Sequence, residues 1–238
     1  MSDLKYLFAY TVPLAALVSV LSNGVLTFTA PIYTFIFIPV LEINLADFDQ
    51  KYTASQKENR LNNFLFDLLL YFNIPIVFGI LGYGLILLST TTYTTVEYVG
   101  IILSMGILLA TNAINVAHEL GHRKTQFERS LSKLLLMPCL YMHFYLEHNF
   151  GHHKNVATPL DPATSKLNQT VYHFWIVSVI QQYRNAWNIQ FKLLQQQNRA
   201  FFSIKNDMLW YSLIQPAYLY TIYFFLGSFA LAVAIMVG

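Results

Sequence analysis

The chain has 238 residues, of which 55% are hydrophobic and only 11% are charged. A soluble globular domain is typically about 25% charged, so this balance indicates an integral membrane protein. The net charge of +2 gives no indication of a nucleic-acid partner, and the single cysteine, Cys139, excludes a disulfide framework and any cysteine-based zinc or iron–sulfur site.

Long apolar runs predict the membrane-spanning helices, because a span needs about 20 apolar residues. The runs cover residues 7–22, 25–41, 64–88 and 97–117, and a last run begins at 208. The first run could instead be a cleaved signal peptide, but its N-terminal flank is only weakly basic and a second run follows at once. The last run is too long for one span, and we expect it to break at Gly227-Ser228 into a span at 208–226 and a partial span at 228–238.

These runs predict an all-α integral membrane protein with about six spanning helices in the complete protein. A sixth helix that ended at Gly238 would leave its terminal carboxylate at membrane depth, which is costly. Residues 1–238 are therefore expected to form a single membrane domain that is truncated within the sixth span. The histidine-rich polar segment is expected to cap its cytoplasmic side.

The distribution of basic residues predicts the topology. All fourteen Lys and Arg lie at the N-terminus, in the loop 42–63 or in the segment 118–207. Alternate loops face opposite sides of the membrane, and basic loops stay on the inside, so this set of loops is predicted to be cytoplasmic. All seven histidines lie between residues 118 and 173 and fall on the same side.

The polar segment 118–207 carries two helix signals. Residues 131–146 are apolar but interrupted by Pro138, which predicts a re-entrant or interfacial helix rather than a span. Residues 181–200 carry aromatic side chains four residues apart, which predicts an amphipathic cytoplasmic helix.

The histidines cluster in two short motifs, HELGH at 118–122 and HNFGHH at 148–153. Each motif contains two histidines four residues apart, so both rings of a pair are expected on one helix face. Imidazole is the commonest side-chain metal ligand near neutral pH. The motifs therefore predict a metal site with the ligands His118, His122, His148, His152 and His153.

Ligand type alone would suit iron, copper, nickel or zinc. HELGH also matches HExxH, the zinc metalloprotease signature, in which the glutamate (here Glu119) is the general base. A zinc protease needs only one further protein ligand, which leaves HNFGHH unexplained. The number of histidines instead favours two metal ions of high coordination number, and hence a di-iron site.

Polar residues near the motifs are weaker candidates for supporting the ligands: Asn112, Asn115, Glu119, His143, Glu147 and Asp161. The two asparagines lie at membrane depth, where hydrogen bonding between helices explains them equally well. Asp161 could accept a hydrogen bond from the N–H of a ligand histidine or could start the turn in TPLDP. His143 lies five residues before His148 and is expected off that helical face.

The longer stretches NAINVAHELGHR at 112–123 and YMHFYLEHNFGHHKNVATPLDPAT at 141–164 resemble the membrane alkane hydroxylases (alkane 1-monooxygenases). These are histidine-rich membrane di-iron enzymes of the class that includes desaturases and xylene monooxygenase. The resemblance continues through NDMLWYSL at 206–213. Phe150 stands where the family usually has a basic residue, and Leu160 stands where it usually has a glutamate.

The resemblance implies terminal hydroxylation of medium- or long-chain alkanes by dioxygen, with two iron ions held by the five histidines. It also implies electrons from rubredoxin or a ferredoxin through an NAD(P)H reductase, and a multi-pass location in the bacterial inner membrane. The family's further ligands, in an NYxEHYG context and a final HxxHH box, do not occur in this chain, which is therefore expected to be inactive alone. A lipid desaturase or hydroxylase of the same class, the zinc protease and a non-catalytic membrane fragment stay open as alternatives.

Overall fold

The computed structural model describes residues 4–44 and 64–238. Within these residues the chain forms helices joined by turns, and no strand occurs among them. In chain order the helices are α1 (Thr11–Leu21), α2 (Gly24–Asn44), α3 (Phe64–Thr90), α4 (Thr95–Gly121), α5 (Gln126–Leu136), α6 (144–155), α7 (Val171–Gln196) and α8 (Asp207–Val237).

Four of these helices, α2, α3, α4 and α8, are long and apolar enough to cross a membrane. The all-α membrane architecture predicted from the apolar runs is therefore confirmed. Residues 6–21, which include α1, form a shorter apolar helix. Gly227 has a φ of 85° and kinks α8 at the position where the sequence predicts a break. The predicted basic loop 42–63 falls almost entirely outside the described residues.

The chain divides into two compact units, Met1–Val116 with Ile222–Gly238, and Ala117–Thr221. In the first unit, hydroxyl groups join neighbouring helices: the Ser19 hydroxyl accepts from the Ala30 N–H at 3.0 Å, and the Ser104 hydroxyl donates to the Thr27 carbonyl at 3.0 Å. In lipid, such bonds and closely approaching backbones replace the hydrophobic effect as the source of helix packing.

The start of α4 is fixed by a capping box that also reaches α2. The Thr94 side chain accepts from the Glu97 N–H, and Glu97 in turn accepts from the Thr94 N–H at 2.8 Å. The second Glu97 oxygen accepts from the Gly24 N–H at 2.7 Å, where α2 begins with a φ of 61°. One carboxylate therefore satisfies unpaired N–H groups at two helix starts.

In the second unit, the predicted helix at 131–146 proves to be two helices, which corrects that prediction. α5 ends at Leu136, and turns with Leu140 at a φ of 50° lead to α6. Pro138 has no N–H to donate to the carbonyl four residues before it, and its ring crowds that carbonyl, so it favours a break at this point. Beside this break, Cys139 is buried, and burial raises the pKa of its thiol to about 12.

The helix predicted at 181–200 begins ten residues earlier, as α7. Thr170 caps its start, because its side chain accepts from the His173 N–H at 3.3 Å. The helix stops at Gln196, and two residues later Asn198 has a φ of 53°. α7 packs against α6 within this unit, where the Asn185 amide donates to a Glu147 oxygen at 3.1 Å.

Candidate metal centre

Four imidazole rings of the second unit converge on one point. The Nε2 atom of His122 lies 3.2 Å from that of His118, 3.2 Å from that of His148 and 3.3 Å from that of His153. The Nε2 atoms of His148 and His153 are 3.0 Å apart. All four ligand atoms lie within 4.8 Å of one another.

The two histidine motifs reach this point by different helical geometries. His118 and His122 are four apart at the end of α4, so their rings share one face as expected for an α-helix. His148–His152 instead forms a π-helical turn, in which the His153 N–H donates to the His148 carbonyl. Residues five apart come together in such a turn. The structure therefore pairs His148 with His153, whereas the spacing argument expected it to pair with His152.

Hydrogen bonds alone cannot explain the cluster. A neutral imidazole nitrogen carries either one proton or one lone pair, so it can take part in only one such bond. The Nε2 atom of His122 has three close nitrogen neighbours. A cation at the centre satisfies all of them, because nitrogens about 2.0–2.1 Å from one ion in tetrahedral geometry are separated by about 3.3 Å. The donor set therefore fits a metal ion.

The protonation state of His148 also suits a metal ligand. Burial, together with the charges of His118, His153, His122 and His152, lowers its pKa to about 3. The ring is therefore neutral near pH 7, with a lone pair available for coordination. Its orientation is fixed by Phe144, whose ring stacks on it with centroids 4.8 Å apart and planes at 22°.

His152 lies beside this group but is not one of the four converging rings. Its Nδ1 atom is 2.9 Å from an oxygen of Asp161, which is buried. Burial raises the pKa of this carboxyl, but hydrogen bonds from Thr164, Ala163 and His152 lower it overall. A carboxylate that accepts from Nδ1 leaves Nε2 unprotonated and free to bind a metal. The contact between Asp161 and His152 is the one expected for a carboxylate that orients a ligand.

Glu147 supports the π-helical turn from within the unit. It is almost completely buried, burial raises its pKa, and the Asn185 amide donates to it. Gly151 sits against this pair, since a Cβ atom added there would lie 2.7 Å from a Glu147 oxygen and 3.0 Å from the Asn185 amide nitrogen. Sequence reasoning did not identify Asn185, Gly151 or Phe144, and only the spacing of Phe144 to His148 carried a usable signal.

The other predicted supporting residues have different surroundings. The Asn112 amide donates to the Asn73 side chain at 2.9 Å. This is a hydrogen bond between helices, the alternative to a role in supporting the metal ligands. Asn115 is exposed, and Glu119 is exposed and paired with Arg123 at 3.2 Å. His143 is buried edge-on against Tyr141 and Tyr183, its Nε2 atom has no hydrogen-bond partner, and burial lowers its pKa to about 4.

Known proteins are similar in sequence to the part of the chain that carries the histidine motifs. The family model for fatty acid desaturases matches residues 94–238. Alkane 1-monooxygenase 1 of Alcanivorax borkumensis is 35% identical over 60% of this chain and 35% of its own length. Alkane 1-monooxygenase of Acinetobacter baylyi is 32% identical over 75% of this chain and 44% of its own length. The hydroxylase component of xylene/toluene monooxygenase from Pseudomonas putida is 27% identical over 62% of this chain and 41% of its own length.

The chain thus spans less than half the length of these relatives. The resemblance indicated by the two histidine motifs is confirmed by these similarities.

Proposed function

Because the chain belongs to the fatty acid desaturase family, we propose that it acts as a membrane di-iron monooxygenase, an alkane 1-monooxygenase. It inserts one oxygen atom of dioxygen into a terminal C–H bond of a medium- or long-chain alkane. The second oxygen atom leaves as water, after two electrons from a donor protein and two protons have been taken up. The convergence of four imidazole nitrogens in a chain similar to alkane 1-monooxygenases carries this proposal.

In this proposal His118, His122, His148 and His153 hold one iron ion, and His152 is a ligand of the second. Bound iron supplies the activation of dioxygen, which no side chain of the protein can provide. Asp161 accepts from Nδ1 of His152 at 2.9 Å, so that the opposite nitrogen is presented without a proton. Phe144 and the Glu147–Asn185 pair hold the π-helical turn that brings His148 and His153 together.

An alkane offers no polar group, so its binding rests on apolar burial worth about 0.8 kcal/mol per CH₂. The apolar spanning helices give such a substrate access from the lipid. Rubredoxin or a ferredoxin, reduced by an NAD(P)H reductase, delivers electrons from the cytoplasmic side, where the distribution of basic residues predicts the histidines to lie. The location that follows is the bacterial inner membrane.

The second candidate is a desaturase or hydroxylase of fatty acyl lipids, which the description of the matching family favours. It shares the metal chemistry and differs in substrate and product. A zinc protease is less well supported, because Glu119 pairs with Arg123 on an exposed surface and four histidines exceed the ligands of an HExxH site.

Product analysis of the full-length gene product separates these functions. The purified protein, loaded with iron in lipid nanodiscs, is supplied with an electron donor, its reductase, labelled dioxygen and either alkanes or fatty acyl lipids. We expect 1-alkanols that carry the label, and loss of product in His148→Ala but not in His173→Ala, which alters an exposed histidine outside the cluster. Unsaturated or hydroxylated acyl lipids would support the second candidate, and peptide cleavage abolished by Glu119→Gln would support the protease.

A further inference from the structure

The first half of α7 turns a stripe of large apolar side chains outward. Six of them are between 43% and 72% exposed: Tyr172, Trp175, Ile176, Val179, Ile180 and Tyr183. They recur at intervals of three and four residues, so they form one continuous face of the helix. A surface in water rarely carries a contiguous apolar patch of this kind without a binding role.

The residues that this half of the helix buries are polar. Within 171–183 these are Ser178 and Gln182, whereas farther along the helix Ala186, Gln190 and Leu194 are buried. The Gln182 amide donates to the Ser178 hydroxyl at 2.6 Å, and its oxygen accepts from the hydroxyl of Tyr141. A helix that faces water shows the reverse arrangement, with apolar residues inside and polar residues outside. The environment of the outer face is therefore expected to be apolar.

The segment of the chain that contains this helix carries charge of one sign. Between Asp161 and Asp207 the chain contains no Asp or Glu at all, whereas it contains five cations. These are Lys166, Arg184, Lys192, Arg199 and Lys205. A segment that combines cationic side chains with an exposed apolar face is complementary to a layer of anionic phospholipid headgroups.

The structure also ties α7 to the end of a spanning helix. The backbone N–H of Asp207, the first residue of α8, donates to the Gln190 side chain at 3.2 Å. The Gln190 amide donates to the carbonyl of Lys205 at 3.2 Å. One turn into α8, Trp210 is partly exposed, as is common for tryptophans at a membrane surface. The last third of α7 therefore contacts the start of a span.

We propose that the first half of α7, residues 171–183, lies in the plane of the membrane. Its apolar stripe is buried in the lipid headgroup region, and the neighbouring cations contact anionic phospholipid phosphates. The aliphatic centre of the stripe is flanked by Tyr172 and Tyr183, as in helices that lie at a membrane interface. A soluble acidic protein would match the charges but would leave the stripe exposed to water whenever it dissociated.

Tryptophan fluorescence tests this placement in the whole protein. The chain has three tryptophans, so Trp187→Phe with Trp210→Phe leaves Trp175 as the single reporter. This variant is placed in nanodiscs of phosphatidylglycerol and phosphatidylcholine. An interfacial helix lies about 5–10 Å deep, so we expect strong quenching by lipids with a shallow nitroxide label, weaker quenching by deep labels and almost none by iodide.

A second pair of variants separates lipid contact from helix stability. Ile176→Gln with Val179→Gln should shift the Trp175 emission to longer wavelength and restore quenching by iodide. Gln181→Ala with Asn188→Ala alters exposed polar positions of the same helix and should leave the emission unchanged. Quenching of Trp175 by iodide in nanodiscs as strong as for free tryptophan would overturn the proposal. Protection from iodide without quenching by lipid labels would also overturn it, because a protein would then cover the stripe.

Discussion

At the scale of single residues, the contact between His152 and Asp161 joins two side chains into one hydrogen-bonded element. Asp161 is buried and accepts from the Thr164 hydroxyl and the Ala163 N–H as well as from the imidazole. The turn therefore positions the carboxylate, and the carboxylate positions the ring. Loss of either member should remove the same property, namely a correctly oriented and unprotonated Nε2 atom.

We predict that Asp161→Asn and His152→Ala each weaken iron binding by about 10–100-fold, the usual effect of losing a partner of a ligand. The double variant should bind iron no more weakly than the weaker-binding of the two single variants, because both changes remove the same element. Iron titration of the protein in nanodiscs measures this. Ser165→Ala, at an exposed position of the same turn, serves as the control and should leave iron binding unchanged. Additive losses would mean that the two residues act independently.

The same scale shows the limit of reasoning from residue spacing. The pairing of His118 with His122 follows from an α-helix, which is the default at that spacing. The pairing of His148 with His153 depends on a π-helical turn, which is a rare conformation with no reliable sequence signal. The identity of the cluster could therefore be predicted, but the position of His152 outside the four converging rings could not.

Gly151 provides a direct test of that turn. A Cβ atom there would meet an oxygen of Glu147 at 2.7 Å and the Ile189 side chain at 2.9 Å. We predict that Gly151→Ala lowers the free energy of unfolding by about 1–3 kcal/mol, the usual cost of overpacking, and also reduces bound iron. Gly106→Ala, where no atom lies within 4 Å of the added Cβ, is the control and should not be destabilised. Thermal unfolding in detergent, with iron analysis, reports both effects.

At the scale of helices, capping residues in the sequence mark the starts of α4 and α7. The capping box at Thr94 and Glu97 lies where the sequence predicts the start of a span. Thr170 provides a similar signal for α7, but the prediction began that helix at its aromatic residues instead. How closely two helices approach depends on both partners, so it cannot be read from one segment of sequence.

Two glycines of the first unit differ in what a larger residue would meet. A Cβ atom at Gly100 would lie 2.2 Å from the Thr27 hydroxyl oxygen and 2.8 Å from its Cβ, whereas at Gly84 the closest atom is the flexible Met105 sulfur at 2.6 Å. We predict that Gly100→Ala lowers the unfolding midpoint in detergent clearly more than Gly84→Ala, because methionine adapts its shape and a β-branched residue does not. Equal shifts would show that α2 can move away from α4.

At the scale of the whole molecule, composition alone was sufficient to predict a membrane protein built of helices. Apolar runs mark spans because lipid leaves a chain few other structures. The division into two units was not predicted, since the contacts that define each unit join residues far apart in the sequence. All four converging histidines belong to the second unit, although His118 lies in the last turn of the apolar helix α4 and His122 follows directly after it.

Because the four converging histidines lie in the second unit, metal binding should raise the stability of that unit. A ligand at 100 times its dissociation constant stabilises the folded state by about 2.7 kcal/mol. We predict that ferrous iron, added without oxygen, slows amide hydrogen exchange in residues 117–153, and that chelation reverses the effect. His122→Ala should abolish the response, because this ring touches the three others. Unchanged exchange in this segment on iron addition would contradict a metal site here.

The low reactivity of the buried Cys139 thiol allows selective labelling of cysteines introduced elsewhere. Maleimide reagents attack thiolates, and Cys139 is both buried and held protonated by its raised pKa of about 12. The chain has no other cysteine. A cysteine introduced at an exposed position such as Gln181 or Asn188 should therefore take up a spin label or dye selectively, with the native residue left in place. Distances between probes could then be measured in an otherwise unaltered protein.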